Sequence, residues 1–188
     1  MQKINELYIF DLDETLLRVP SYTTRGLIEK ENPGLIFDSP YSFYDNPISL
    51  CDKLNNIQLI EPVFREWEEA NADLSCAHVL ITHRVKELKE TVTDLLLRKG
   101  ITFDHTYFLG RVGDKSDIIT YLLSAKYDPT TISKIKIFED SIDQIFRYQQ
   151  YFNNVEYNID IEYWIVDKAR VFKIGDIQLS DKKRITLI

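Results

Sequence analysis

Short apolar runs recur along the chain, and three of them stop abruptly at a polar residue. Leu7-Tyr8-Ile9-Phe10 stops at Asp11, His78-Val79-Leu80-Ile81 at Thr82, and Lys134-Ile135-Lys136-Ile137-Phe138 at Glu139-Asp140. Runs of this length, rich in β-branched and aromatic residues, read as strands inside a sheet. His105-Thr106-Tyr107-Phe108-Leu109 is a weaker strand before a turn at Gly110 and Gly113, and Ile159, Ile161, Tyr163 and Ile165 alternate as a further one. Helical spacing fills the gaps between them. Val63, Phe64, Trp67, Ala70 and Leu74 share one helical face. Val85, Leu88, Val92, Leu95 and Leu96 share another, up to a cap at Gly100. Ile118, Ile119, Leu122 and Leu123 mark a third helix, and Ile142, Ile145 and Phe146 a fourth. Strands alternating with helices demand crossover connections. The expected fold is α/β: a Rossmann-like three-layer α/β/α sandwich around a mostly parallel sheet.

One stretch breaks the rhythm. Residues 16–60 hold four of the six prolines and little periodicity, which predicts an irregular insert or small lid with one hairpin or short helix, and no large cap domain. The tail from Arg170 to Ile188 reads as edge strands or a hairpin. A length of 188 residues, 44% of them apolar, suits a single domain over 1–188 and is short for two. The formal net charge of −7 argues against a protein that coats nucleic acid with a basic face, and leaves room for local contact with a nucleic-acid end. No run approaches the roughly 20 apolar residues of a membrane span, and the polar start Met1-Gln2-Lys3 is unlike a secretory signal. Cys51 and Cys76 form no CxxC pair, which fits a reducing, cytoplasmic setting.

In an open parallel sheet, ligands bind at the carboxyl ends of the strands. Those positions carry Asp11 and Asp13, then Thr82, then Glu139 and Asp140, with Lys115 opening the helix after the weak strand. Carboxylates crowded together raise one another's pKa unless a cation joins them. A hard divalent ion with oxygen ligands, Mg²⁺ first, resolves the conflict, and the absence of Cys or His at these ends disfavours zinc. Two carboxylates two residues apart, on a chain leaving a strand, suit a nucleophile paired with an acid and base.

Asp11-Leu12-Asp13-Glu14-Thr15, Thr82, Lys115 and Glu139-Asp140, in that order and each beside a strand end, resemble the four motifs of the haloacid dehalogenase superfamily. The resemblance spans about residues 7–150. It implies a Mg²⁺-dependent phosphatase, with Asp11 forming an aspartyl-phosphate and Asp13 protonating the leaving oxygen and then activating water. It implies that Thr82 and Lys115 hold the phosphoryl group. Mg²⁺ is then bound by Asp11 and Asp140, with the Asp13 carbonyl and with Glu139 through water. Thr82-His83-Arg84 and Phe138-Glu139-Asp140-Ser141 are similar to a capless branch known as Swiss-Army-knife RNA-repair-like, and make His83 and Arg84 candidate substrate contacts. The superfamily's GDxxxD form is missing, since Asp143 follows Asp140 by three residues. The implied partner is a phosphorylated substrate: a nucleotide, a nucleic-acid end or a phosphoprotein.

Each position also has a plainer use. Thr82 suits a helix N-cap, Glu139-Asp140 a capping pair for the next helix, and Arg84 an exposed helix start. Arg111 is the alternative cation to Lys115. Tyr41, Phe43 and Tyr44 either stack on a base or plug the insert onto the core. The competing functional class is a receiver-like or degenerate phosphate-binding module, which holds a phosphoryl group without turnover. Asp13 and the nucleophile's place on the first strand argue against it.

Overall fold

The computed structural model describes residues 1–155 and 157–174. In chain order the elements are β1 (Glu6–Phe10), β2 (Leu17–Arg18), α1 (Arg25–Glu31), α2 (Pro40–Tyr44), α3 (Asp52–Asn55), β3 (Gln58–Leu59), α4 (Glu61–Ala72) and β4 (Cys76–Thr82). Then follow α5 (Lys89–Arg98), β5 (His105–Phe108), α6 (Lys115–Tyr121), β6 (Lys134–Glu139), α7 (Ile142–Asn153), β7 (Asp160–Asp167) and β8 (Arg170–Ile174). Six strands make one sheet in the order β5-β4-β1-β6-β7-β8, parallel throughout except for the antiparallel edge strand β8. The mixed α/β fold with helices flanking a mostly parallel sheet is the one the alternation predicts. Among the described residues no helix is long and apolar enough to cross a membrane.

The two-residue period of a strand sorts side chains between the faces. Leu7 and Ile9 pack with Val79, Ile81, Ile135 and Ile137 beneath Ile119 of α6 and Ile145, Tyr148 and Phe152 of α7. Tyr8 and Phe10 pack with Leu80 and Phe138 against Val63, Trp67 and Ala70 of α4 and Val92, Leu95 and Leu96 of α5. On that second face the Phe10 and Phe138 rings stack at 4.9 Å. Full burial of each such side chain contributes about 1.5–3 kcal/mol, so β1, buried on both sides, anchors the molecule. Strand order reverses between β1 and β6, because the chain first builds β4 and β5 to one side and then crosses to the other.

The insert is more regular than its composition suggests. β2 and β3 pair antiparallel, Leu17 opposite Leu59, and pinch its base. Between them lie α1, α2 and α3, and Ile28 of α1, Phe37 and Phe43 of α2 form a small cluster of their own. Pro40 and Pro47, read in sequence as breakers, each sit in the first turn of a helical segment, where a proline's missing N–H costs nothing. Leu74, placed by spacing on the apolar face of α4, falls beyond the end of that helix and is 99% exposed. Gly100 ends α5 at φ +79°, as its position predicts. Residues 175–188, part of the expected edge strands, lie outside the described residues.

Candidate functional site

Strand parity dictates the centre of the site. Asp11 continues the odd-numbered face of β1, and Glu139 that of β6, so both carboxylates turn toward α6. Phe10 and Phe138 are register partners, and the Asp11 N–H extends the ladder by donating to the Phe138 carbonyl at 3.1 Å. Asp11 and Glu139 therefore stand side by side at the switch point. Lys115, the first residue of α6, reaches between them. Its Nζ donates to Asp11 Oδ1 at 2.7 Å and to Glu139 Oε2 at 2.7 Å, and it is 1% exposed. Asp114 caps α6 by accepting from the Ser116 N–H at 2.8 Å, which fixes where Lys115 begins. Thr15 donates to the second oxygen of Asp11 at 3.3 Å.

Asp140 completes a buried acidic cluster able to coordinate a metal ion: carboxylate oxygens of Asp11, Glu139 and Asp140 lie within 4.8 Å of one another. Asp140 is exposed while the other two are buried, so the cluster opens to solvent on its side. Three carboxylates against one ammonium leave two formal negative charges when all are ionised. Burial, reinforced by the neighbouring carboxylates and opposed by Lys115, pushes Asp11 up to about 7. Burial likewise takes Glu139 up to about 7, and partial desolvation of the Asp140 carboxyl where it faces the cluster, with the charge of Asp11, takes that otherwise exposed residue to about 6. For Lys115 burial pulls downward, yet Asp11 and Glu139 outweigh it and hold the ammonium protonated. An all-oxygen donor set with a two-charge deficit fits a hard divalent ion such as Mg²⁺.

The other sequence-picked residues have partners of their own. Thr82, 1% exposed at the end of β4, accepts from the Arg84 N–H at 3.1 Å and does not cap α5. Ser141, accepting from the Gln144 N–H at 3.3 Å, caps α7, and its own N–H donates to Glu139 Oε1 at 3.4 Å, so Glu139 serves both Ser141 and Lys115. His83 Nε2 lies 3.1 Å from the Gly113 carbonyl, and burial together with the Lys115 charge lowers its pKa. The Asp13 side chain stands outside the metal-competent group and meets Arg84 instead, Nε to Oδ2 and Nη2 to Oδ1, each at 2.8 Å. Arg84, far from being an exposed helix start, is 3% exposed. Arg111 pairs with Asp45 of the insert and lies over the Tyr41 ring, 4.5 Å from its centroid. Phe43 is fully buried in the insert's cluster. Sequence reasoning passed over Thr15, Ser49 and Asp45. Thr15 alone had a signal, as part of Asp11-Leu12-Asp13-Glu14-Thr15.

No family model matches the chain, and no curated protein does. Solved structures share its fold. A chain of the Pnkp1/Rnl/Hen1 RNA repair complex superposes with a TM-score of 0.52 at 14% identity, over 86% of this chain and 43% of that one. A second Pnkp1/Rnl/Hen1 structure gives 0.50 at 13% identity, over 86% and 46%. The Legionella pneumophila effector Ceg4 gives 0.55 at 12% identity, over 89% of this chain and 88% of the effector. The likeness is one of fold, and this chain spans less than half the length of the repair-complex chains.

Proposed function

We propose that the protein is a Mg²⁺-dependent phosphomonoester hydrolase of the haloacid dehalogenase type. The observation that carries the reading is the pairing of Lys115 with both Asp11 and Glu139 at the switch point, with Asp140 alongside and Asp13 held apart. In this reading Asp11 attacks phosphorus and the ester oxygen leaves, giving a phosphorylated Asp11 that water then hydrolyses. Lys115 and the Thr82 hydroxyl hold the phosphoryl oxygens, with His83 at the rim, and the Lys115 charge favours the extra negative charge of the transition state. Asp13 gives a proton to the leaving oxygen and then takes one from the attacking water. Asp11, Glu139 and Asp140, with the Asp13 carbonyl, would hold Mg²⁺. When bound, that ion neutralises the carboxylates and the phosphoryl charge.

The chain would then act as one domain with the 16–60 insert as a small lid, on a phosphorylated substrate such as a nucleotide, a nucleic-acid end or a phosphoprotein. The likeness to chains of an RNA repair complex lends weight to the nucleic-acid end. Two free thiols, Cys51 and Cys76, suit the cytoplasm. The test is phosphate release from p-nitrophenyl phosphate and a panel of biological monoesters. Turnover is expected with Mg²⁺, and none with chelator or in Asp11→Asn. Stoichiometric labelling without turnover would indicate a receiver-like module, and no release from any monoester would end the proposal.

A further inference from the structure

Arg84 is spent on the protein itself. Besides the two bonds to Asp13, Nη1 donates to Ser49 Oγ at 2.8 Å and to the Tyr44 carbonyl, and the guanidinium lies 5.2 Å from the centre of the Tyr44 ring. Four of its five N–H donors are thus committed. The acceptors are themselves fixed. Ser49 is fully buried and gives its own proton to the Asn46 carbonyl at 2.8 Å, so a lone pair is left for Arg84. Asn46 in turn caps the turn that Pro47 begins, accepting from the Ile48 N–H at 3.0 Å. Three distant segments, the turn after β1, the end of β4 and the insert, therefore meet at one guanidinium.

Both oxygens of Asp13 accept from that fork, and two parallel bonds fix the plane and direction of its carboxyl group. We propose that Arg84 is a positioning residue. Backed by Ser49 and the Tyr44 carbonyl, it holds Asp13 where Asp13 draws a proton off the water that hydrolyses phosphorylated Asp11. This rests on the function proposed above and adds the insert to its machinery. In the step, the water oxygen bonds to phosphorus and the bond from phosphorus to the Asp11 oxygen breaks. The electron pair returns to the Asp11 carboxylate, the water proton passes to Asp13, and inorganic phosphate leaves.

The test uses the full chain with Mg²⁺ and p-nitrophenyl phosphate, whose leaving group needs no proton. In Arg84→Lys, a point charge replaces the fork, so kcat is expected to fall about ten-fold or more while kcat/KM stays within about three-fold. Phosphorylated enzyme should accumulate after a burst of nitrophenolate. Ser49→Ala should give the same split, about three-fold in kcat, and it decides the matter if Arg84→Lys does not fold. Equal losses in kcat and kcat/KM without accumulation would overturn the proposal, as would a raised KM at constant kcat, the mark of a substrate anchor. Asp13→Asn separates the two failures. If it accumulates phosphorylated enzyme and the Arg84 and Ser49 variants do not, the coupling is wrong and the reading of the site stands. If the wild-type chain releases no nitrophenolate, both fall.

Discussion

Lys115 keeps its ammonium 2.7 Å from each of two buried carboxylates, with almost no access to water. Desolvating three charged groups is expensive, and their mutual attraction offsets the cost only while the set is complete. Lys115→Met keeps most of the side-chain volume but removes the cation, leaving Asp11 and Glu139 facing each other. The expected loss is about 3–5 kcal/mol in denaturant unfolding at pH 8 without divalent ions. The loss should shrink at pH 5, where the two carboxyls, both pushed up to about 7, take protons instead. A uniform loss at both pH values would mean that packing, not charge, is what Lys115 supplies.

At the scale of elements, the insert is tied to the core by unequal bonds. Its base is the two-stranded β2–β3 ribbon, and Arg84 grips it from below through buried contacts. Arg111, in the loop between β5 and α6, grips it from the surface through Asp45 and Tyr41. An exposed pair of this kind contributes about 0–1 kcal/mol, with a similar amount from the cation–π contact. Arg111→Ala should therefore leave global unfolding nearly unchanged while speeding amide hydrogen exchange in α2, over Pro40–Tyr44, by several-fold. Unchanged exchange there would show that Arg84 and the ribbon suffice. Gly113 explains the shape of the loop carrying Arg111: a Cβ there would meet Leu109 Cβ at 2.7 Å.

Across the whole molecule, the acidic centre links folding to pH. Asp11, Glu139 and Asp140 all hold protons more tightly in the folded chain than carboxyls do in an unfolded one. Where the folded state binds more protons, stability falls as pH rises. The contribution is full below about pH 4 and is lost as pH climbs through 6 to 7, the range of the folded values. In chelator, Tm is expected to drop by roughly 5–10 °C between pH 5.5 and 8. Adding Mg²⁺ at a hundred times its dissociation constant should restore about 2.7 kcal/mol at pH 8. A Tm indifferent to Mg²⁺ at pH 8 would count against a metal at this cluster.

The alternation of strands and helices, the parallel sheet and the polar residues at the strand ends are all readable along the chain. Those follow from periodicity and from the rule that buried strands stop where polarity begins, which are local properties. Asp11, Glu139 and Asp140 are legible because each sits beside such a stop, and Lys115 because it opens the helix that follows the weak strand. The helices of the insert were not, since segments as short as Pro40–Tyr44 carry too few turns to display a period. What Arg84 does is visible only once the chain is folded. Asp13 and Ser49 come from segments far apart in the chain, and nothing near Arg84 in sequence records that folding brings both to its guanidinium.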